Sequence, residues 1–330
     1  MANSSYIVNA AKAWADALAE PPLIGPKGLY NLGVHASLQN PYAEADNLYI
    51  YHWSSYEYDF EFTAEFSDSS APDEGEVTLY NLTDDTIQNI RVGKIVGVSG
   101  GYGWGDQSDQ GVWLFGWVTG CETEWKDADK LTTIYVRSTA GAGGQLEQQE
   151  AAETDLVAGG SRISLTYEAG VTAGFILQQL CDMTNIPIAE FTLKNDRPFS
   201  EAVTIEGDLH QKISEYASMC GVWAYEVNGL LYVKDMRMDT SRNSFLLNEA
   251  SGLLDSPTPY TEEVKDTRTE DSEEKIVYTG YKVKMLLNHR ITPGVGIELV
   301  SRDAHGQYTV KSGRHVYDGV GGYTEAIIIE

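Results

Sequence analysis

The chain has 330 residues with 23 Lys plus Arg against 49 Asp plus Glu, a formal net charge of −26. That length supports two or three domains with buried cores. The acidic balance argues against gripping nucleic acid, which needs cations to displace counterions along the phosphates, and against an anionic membrane surface. The three cysteines, Cys121, Cys181 and Cys220, are too widely spaced for a zinc site or a disulfide framework. Cys181 and Cys220 fall in apolar helical patterns and are expected to be buried thiols.

Residues 5–20 show Tyr6, Ile7, Ala10, Trp14 and Leu18 at helical spacing, stopped by Pro21-Pro22. The start, Met1 to Glu20, lacks a basic leader and an unbroken apolar core, so it does not read as a signal peptide. No stretch reaches the roughly 18 apolar residues of a membrane helix, and the expected compartment for folding is a reducing cytoplasm. Residues 25–41 read as a loop-like arm containing Gly25, Pro26, Gly28, Gly33 and Pro41.

From Asn47 the period becomes two. Tyr56, Tyr58, Phe60, Phe62, Ala64 and Phe66 alternate with Glu57, Asp59, Glu61, Thr63 and Glu65, which predicts one strand with an aromatic face and an acidic face. No Lys or Arg occurs from Gly28 through Ile90 to neutralise those carboxylates. Val77–Tyr80 reads as the next strand, Thr83 as the cap of a short helix, and Arg91–Val98, Val112–Val118 and Leu131–Val136 as further strands. The Gly-rich patch Ala140–Gly144 marks a boundary.

Beyond it the pattern is α/β. Thr172 is placed to cap a helix carrying Phe175, Ile176, Leu177, Leu180 and Met183. A second helix carries Leu209, Ile213, Tyr216, Ala217 and Cys220 on one face. Gly221 ends it, and Asn228-Gly229 between Val222–Val227 and Leu230–Val233 predicts a tight hairpin. Residues 254–276 read as a polar connection. Lys275–Met285, Ile297–Val300, Gln307–Val310 and Tyr323–Ile329 return to strand.

Candidate chemistry is sparse. Glu57, Asp59 and Glu61 on one strand would stand roughly 6–7 Å apart at next-but-one positions, a spacing open to an inverting glycosidase. Nothing in the pattern drives their acidities apart, which such a pair requires. The glycines at 97, 100, 101, 103 and 105 are followed by a strand, not by the helix of a dinucleotide fingerprint. Asp106 and Asp109 lack the remaining ligands of a calcium loop. The six histidines show no metal-ligand spacing. The reading is therefore no enzyme, no cofactor and no metal site, with Trp104, Trp113 and Trp117 as sugar platforms in a carbohydrate-binding or hydrolysing alternative.

Several motifs, in order, resemble the baseplate hub proteins of phage tails and related contractile injection systems. They are EVTLYNLTDDTIQNIRVGKIVGVSGGY (Glu76–Tyr102), the LFGWVTG to TTIYV region (Leu114–Val136), CGVWAYEVNGLLYV, GLLDSP (Gly252–Pro257), and PGVGIELVSRDAHGQYTV (Pro293–Val310) with the later His315. The resemblance spans residues 48–330. It implies a mainly β chain with two tube-type β-barrel domains flanking a small α/β helix-plus-hairpin domain. The corresponding division is 1–46 (helix and arm), 47–158 (first barrel), 159–250 (α/β middle) and 251–330 (second barrel). It further implies a virion tail location, a homotrimer, and tail tube and central spike proteins as partners, with DNA in transient, non-adhesive contact with the lumen. Glu57, Asp59, Glu61 and Glu65 are the candidate lumen-facing acidic strand, and another tail tube or adaptor subunit is a further alternative.

Overall fold

The computed structural model describes residues 32–40, 49–102, 109–138, 162–184, 186–239, 244–265 and 275–330. The predicted helix over 5–20 lies outside them. The fold is mainly β. Thirteen strands form one continuous sheet, and five more, with two helices, form a separate α/β unit.

The first half of the sheet holds β1 (Leu32–Gln39), β2 (Tyr49–Ser54), β3 (Phe60–Phe66), β4 (Glu74–Tyr80), β5 (Ile95–Tyr102), β6 (Asp109–Lys126) and β7 (Asp129–Arg137). Their order runs β3-β4-β7-β6-β5-β1-β2, every pair antiparallel. The core beneath them contains Val34, Ala36, Leu38, Phe60, Phe62, Val77, Leu79, Val98, Trp113 and Ile134. A short helix, α1 (Asp84–Asn89), follows β4. Thr83 caps it by accepting the Thr86 N–H, and Asp84 and Asp85 sit at its positive end, as the sequence predicts.

The second half holds β13 (Phe245–Leu247), β14 (Thr258–Lys265), β15 (Lys275–Leu286), β16 (Gly296–Val300), β17 (His305–Tyr317) and β18 (Gly322–Ile329). Its own core includes Leu247, Val283, Met285, Ile297, Leu299, Val310 and Ile328. The joint between halves is β17. Its first residues pair with β16, and after an irregularity between Val310 and Ser312 its last residues lie between β18 and β3. At that joint His315 is buried, packs tilted against Phe66 at 4.8 Å and contacts the Thr324 hydroxyl at 2.9 Å. Burial holds its ring neutral, down to a pKa of about 3.

Three sequence expectations need correction. Among the described residues no barrel is closed by hydrogen bonds, because one ladder runs through both halves from β14 to β2. Residues 32–39, read as part of an arm, form β1, whose Val34, Ala36 and Leu38 are fully buried; Gly33 and the neighbouring prolines hid a six-residue alternation. The connection over 254–276 contains β14, a polar edge strand paired along its length with β15. An edge strand needs no continuous apolar face, so its composition imitates a loop.

The α/β unit holds β8 (Arg162–Tyr167), α2 (Ala173–Met183), β9 (Ile188–Phe191), β10 (Val203–Asp208), α3 (Leu209–Met219), β11 (Trp223–Val227) and β12 (Leu230–Lys234). Strand β8 pairs with β10, and β9, β12 and β11 form a three-stranded sheet. Thr172 and Asp208 cap the helices by accepting the Phe175 and Gln211 N–H groups. The apolar stripes meet in one core of Ile176, Leu177, Leu180, Ile213, Tyr216 and Leu231, with Cys181 and Cys220 buried as free thiols. Asn228 (φ 50) and Gly229 (φ 80) take the left-handed conformations of the predicted hairpin turn. Phe175 and Met183 are exposed instead of core, so the α2 stripe is narrower than its composition suggests.

This unit rests on the sheet through a few defined contacts. The Glu226 N–H donates to the Ser69 carbonyl at 3.1 Å, Ser70 Oγ meets His210 Nδ1 at 3.3 Å, and Trp223 packs on Tyr278. Gly294, at φ 83, lets the Tyr225 hydroxyl approach where a side chain would collide.

Candidate functional site

The alternating stretch around Phe60 builds the most distinctive surface. In β3, Phe60, Phe62, Ala64 and Phe66 point into the interior, while Glu61, Thr63 and Glu65 face out. The predicted strand is too long at its start. Residues 55–57 form a turn, with the Glu57 and Tyr58 N–H groups both on the Ser54 carbonyl at 2.9 Å, so Glu57 and Asp59 precede the strand. Tyr56 and Tyr58 are correspondingly exposed. Of the four candidate carboxylates, only Glu61 and Glu65 share the strand face. The proposed acid pair geometry at Glu57 and Asp59 therefore has no strand behind it.

The structure widens this face in a direction the sequence reading missed. Register sets Glu61, Thr78, Thr133 and Glu122 in one transverse row, and Thr63, Glu76 and Tyr135 in the next. Glu124 stands two residues beyond Glu122, opposite Leu131. Strands lie about 4.8 Å apart, so Glu61, Glu65, Glu76, Glu122 and Glu124 form one acidic field over β3, β4, β7 and β6. None of these five makes an ion pair among the described residues. Two of them take a tyrosine hydroxyl instead: Tyr80 Oη donates to Glu61 at 2.7 Å and Tyr135 Oη donates to Glu122 at 3.2 Å, while Thr78 and Thr133 bond to each other at 3.0 Å between them. The hydrogen bond to Glu61 pushes the Tyr80 phenol up to about 12, and the bond to Glu122 raises Tyr135 in the same way. The available signal was the pair of i, i+2 acids at Glu74/Glu76 and at Glu122/Glu124.

At the border with β17 the field ends in paired charge. Glu74 binds Arg137 at 2.8 Å and Glu325 binds Arg314 at 2.7 Å. Arg314 is also the register partner of Glu65. Beyond the border lies an open groove of about 820 Å³ lined by Glu65, Asp73, Glu74, Lys282, Lys284 and Arg314, among others.

The other candidates resolve simply. Trp113 is buried in the first core, stacked on Phe62 at 5.7 Å, and is no sugar platform. Trp117 is partly buried beside Ile95 and Phe115, and Trp104 lies outside the described residues. Gly97, Gly100 and Gly101 belong to β5, paired with β6, and not to a phosphate loop. Asp106 lies outside the described residues. Of the histidines, His35 and His52 stack at 5.3 Å; burial and the His52 charge hold His35 down to about 4.

No protein-family model and no curated protein matches the sequence. Solved structures do match. The tail protein from Neisseria meningitidis MC58 superposes with a TM-score of 0.55 at 11% identity, covering 90% of this chain and 97% of that one. This chain has the fold of phage tail proteins. The 43 kDa tail protein of prophage MuSo2 from Shewanella oneidensis shows the same TM-score of 0.55 at 10% identity, over 90% of this chain and 98% of that one. The tail-protein resemblance carried by the ordered sequence motifs therefore agrees with the structural neighbours at the level of fold. Both neighbours are matched over nearly their whole length.

Proposed function

We propose that this chain is a non-enzymatic structural subunit of a phage-type tail baseplate hub. In this reading three copies form a ring within the virion tail, assembled in the host cytoplasm. Each copy contributes two tube-type β-domains, so six such domains match a sixfold tail tube on one side and a threefold central spike on the other. The open ends of the sheet at β2 and β14 meet neighbouring copies, because unpaired strand edges demand cover. DNA passes through the ring once the spike has left.

The observation that carries the reading is the tail-protein fold over 90% of the chain, joined to an acidic field whose charge does no structural pairing. We propose that this field, including Glu61 and Glu65, lines the lumen. DNA carries about one negative charge per 1.7 Å of axis, so such a wall repels it at close approach. Screening confines the repulsion to about 8 Å at physiological salt. Electron microscopy of the assembled particle tests both parts. Threefold rings with Glu61, Glu76 and Glu122 on the inner wall support the reading. Sixfold rings or filaments would favour a tube or adaptor subunit, and those carboxylates on the outer wall would remove the lumen assignment.

A further inference from the structure

The seam between the sheet and the α/β unit contains two carboxyls that the hub reading does not use. Glu226, on β11, is 1% exposed. Its Oε1 accepts the Gly229 N–H at 3.1 Å, but its Oε2 has no hydrogen-bond partner among the described residues. Leaving a buried carboxylate oxygen bare is costly, since a charge out of water needs a compensating partner. Asp73, directly before β4 on the sheet side, feels the Glu226 charge. One Asp73 oxygen accepts the Ser67 hydroxyl at 2.9 Å. The Asp73 N–H donates to Ser138 Oγ at 2.9 Å, and the same Ser138 hydroxyl reaches the Glu226 carboxyl. Two carboxyl-bearing residues from separate chain segments thus both neighbour Ser138. Both carboxyls are pushed upward by burial, and the Glu226 charge adds to the shift at Asp73. Asp73 also lines the 820 Å³ groove, together with Glu65 and Glu74, so the Asp73 side of the seam opens to solvent.

We propose that Asp73, Glu226 and Ser138 hold one divalent cation that fastens the α/β unit to the sheet. The donor set is all oxygen, which suits a hard ion such as Mg²⁺ or Ca²⁺ with water completing the shell from the groove side. The ion compensates the bare Glu226 oxygen and both buried charges together. It ties β11, the segment before β4 and the end of β7, so its effect is on how firmly the α/β unit is held.

The full-length protein, stripped with EDTA and desalted, is titrated with MgCl₂ and with CaCl₂ by calorimetry at constant ionic strength, with thermal unfolding in parallel. The expected result is one saturable site per chain for one of the two salts and a Tm that rises with its concentration. Glu226→Gln and Asp73→Asn each weaken that site by more than about tenfold. Ser138→Ala, which keeps both carboxyls, weakens it less, while Glu76→Gln on the outer field leaves it unchanged. Absence of a saturable site for either salt in the wild-type protein overturns the proposal. So does an equal response in Glu226→Gln and Asp73→Asn, which would mark diffuse binding to the acidic surface. If one of these variants does not fold, the other decides, and the wild-type titration stands by itself.

Discussion

The two halves of the long sheet present their outer faces very differently. Over β3, β4, β7 and β6 the carboxylates are numerous, and those of Glu61 and Glu122 are answered by tyrosine hydroxyls, not cations. Over β15, β17 and β18 the charges are matched in pairs or stacked on rings: Arg314 with Glu325, Lys284 4.0 Å from the Tyr323 ring, and Lys311 with both Glu262 (3.0 Å) and Asp68 (3.5 Å). Lys311 is the clearest case of structural charge, because its side chain is only 13% exposed. Burial outweighs the ammonium at Asp68 and raises it, whereas hydrogen bonds from Lys311 and Tyr260 lower Glu262. The comparison separates charge that holds the fold together from charge that the fold merely displays. Displayed charge of one sign costs a little self-repulsion and does not help hold the fold together.

The largest expected effect comes from the side of β3 opposite the acidic field. Phe62 is 2% exposed and stacks on Trp113 and Tyr317. Phe62→Ala should cost about 3–5 kcal/mol by urea unfolding. Next comes the paired half: Lys311→Met strands Asp68 and Glu262 together and should cost about 3 kcal/mol at pH 8. A loss no larger than that of an exposed pair would show that the second half does not depend on its ion pairs.

The seam supplies a pH effect of intermediate size. In cation-free protein Asp73 is raised from 3.8 to about 8 and Glu226 from 4.5 to about 7. The folded state then binds more protons than the unfolded state between about pH 4 and 8, so stability declines as pH rises through that window and levels off above it. His315, His35, His52 and His210, all lowered by burial, act in the opposite sense, losing stability as pH falls below about 7.5, where the unfolded imidazoles begin to protonate. The slope between about pH 7.5 and 8 is therefore dominated by Asp73. Asp73→Asn should flatten it in a Tm series, and an unchanged slope would remove the seam as its source.

The smallest effect belongs to the acidic field. Replacing Glu61, Glu76, Glu122 and Glu124 together by Gln should change stability by no more than about 0.5 kcal/mol per site. DNA retention by the assembled ring, measured by filter binding at low salt, should increase. A large loss of stability would mean that these carboxylates are structural after all.

Much of the architecture was legible because local signals there agree with tertiary packing. Thr83 and Thr172 cap helices, Asn228-Gly229 turns the hairpin, and Phe60 to Phe66 alternate as the buried face requires. The failures have physical causes. Strand β14 lies at an edge, where polar residues are tolerated. The alternation at Tyr56 and Tyr58 continues in sequence, but the chain has already turned at Ser54, and a period of two carries no mark of where pairing begins. The acidic field was half visible. Its β3 carboxylates follow from alternation, but its extension to Glu76, Glu122 and Glu124 depends on which strands lie side by side. The seam was not legible at all, since Asp73, Ser138 and Glu226 meet only in the folded chain.

The most direct test of the central claim is the native mass of the full-length protein over a range of concentrations, alone and mixed with candidate spike and tube proteins from the same genome. The hub reading predicts a trimer, formed alone or on addition of the spike protein. A stable monomer in every mixture, or a hexamer that ignores the spike protein, would contradict it.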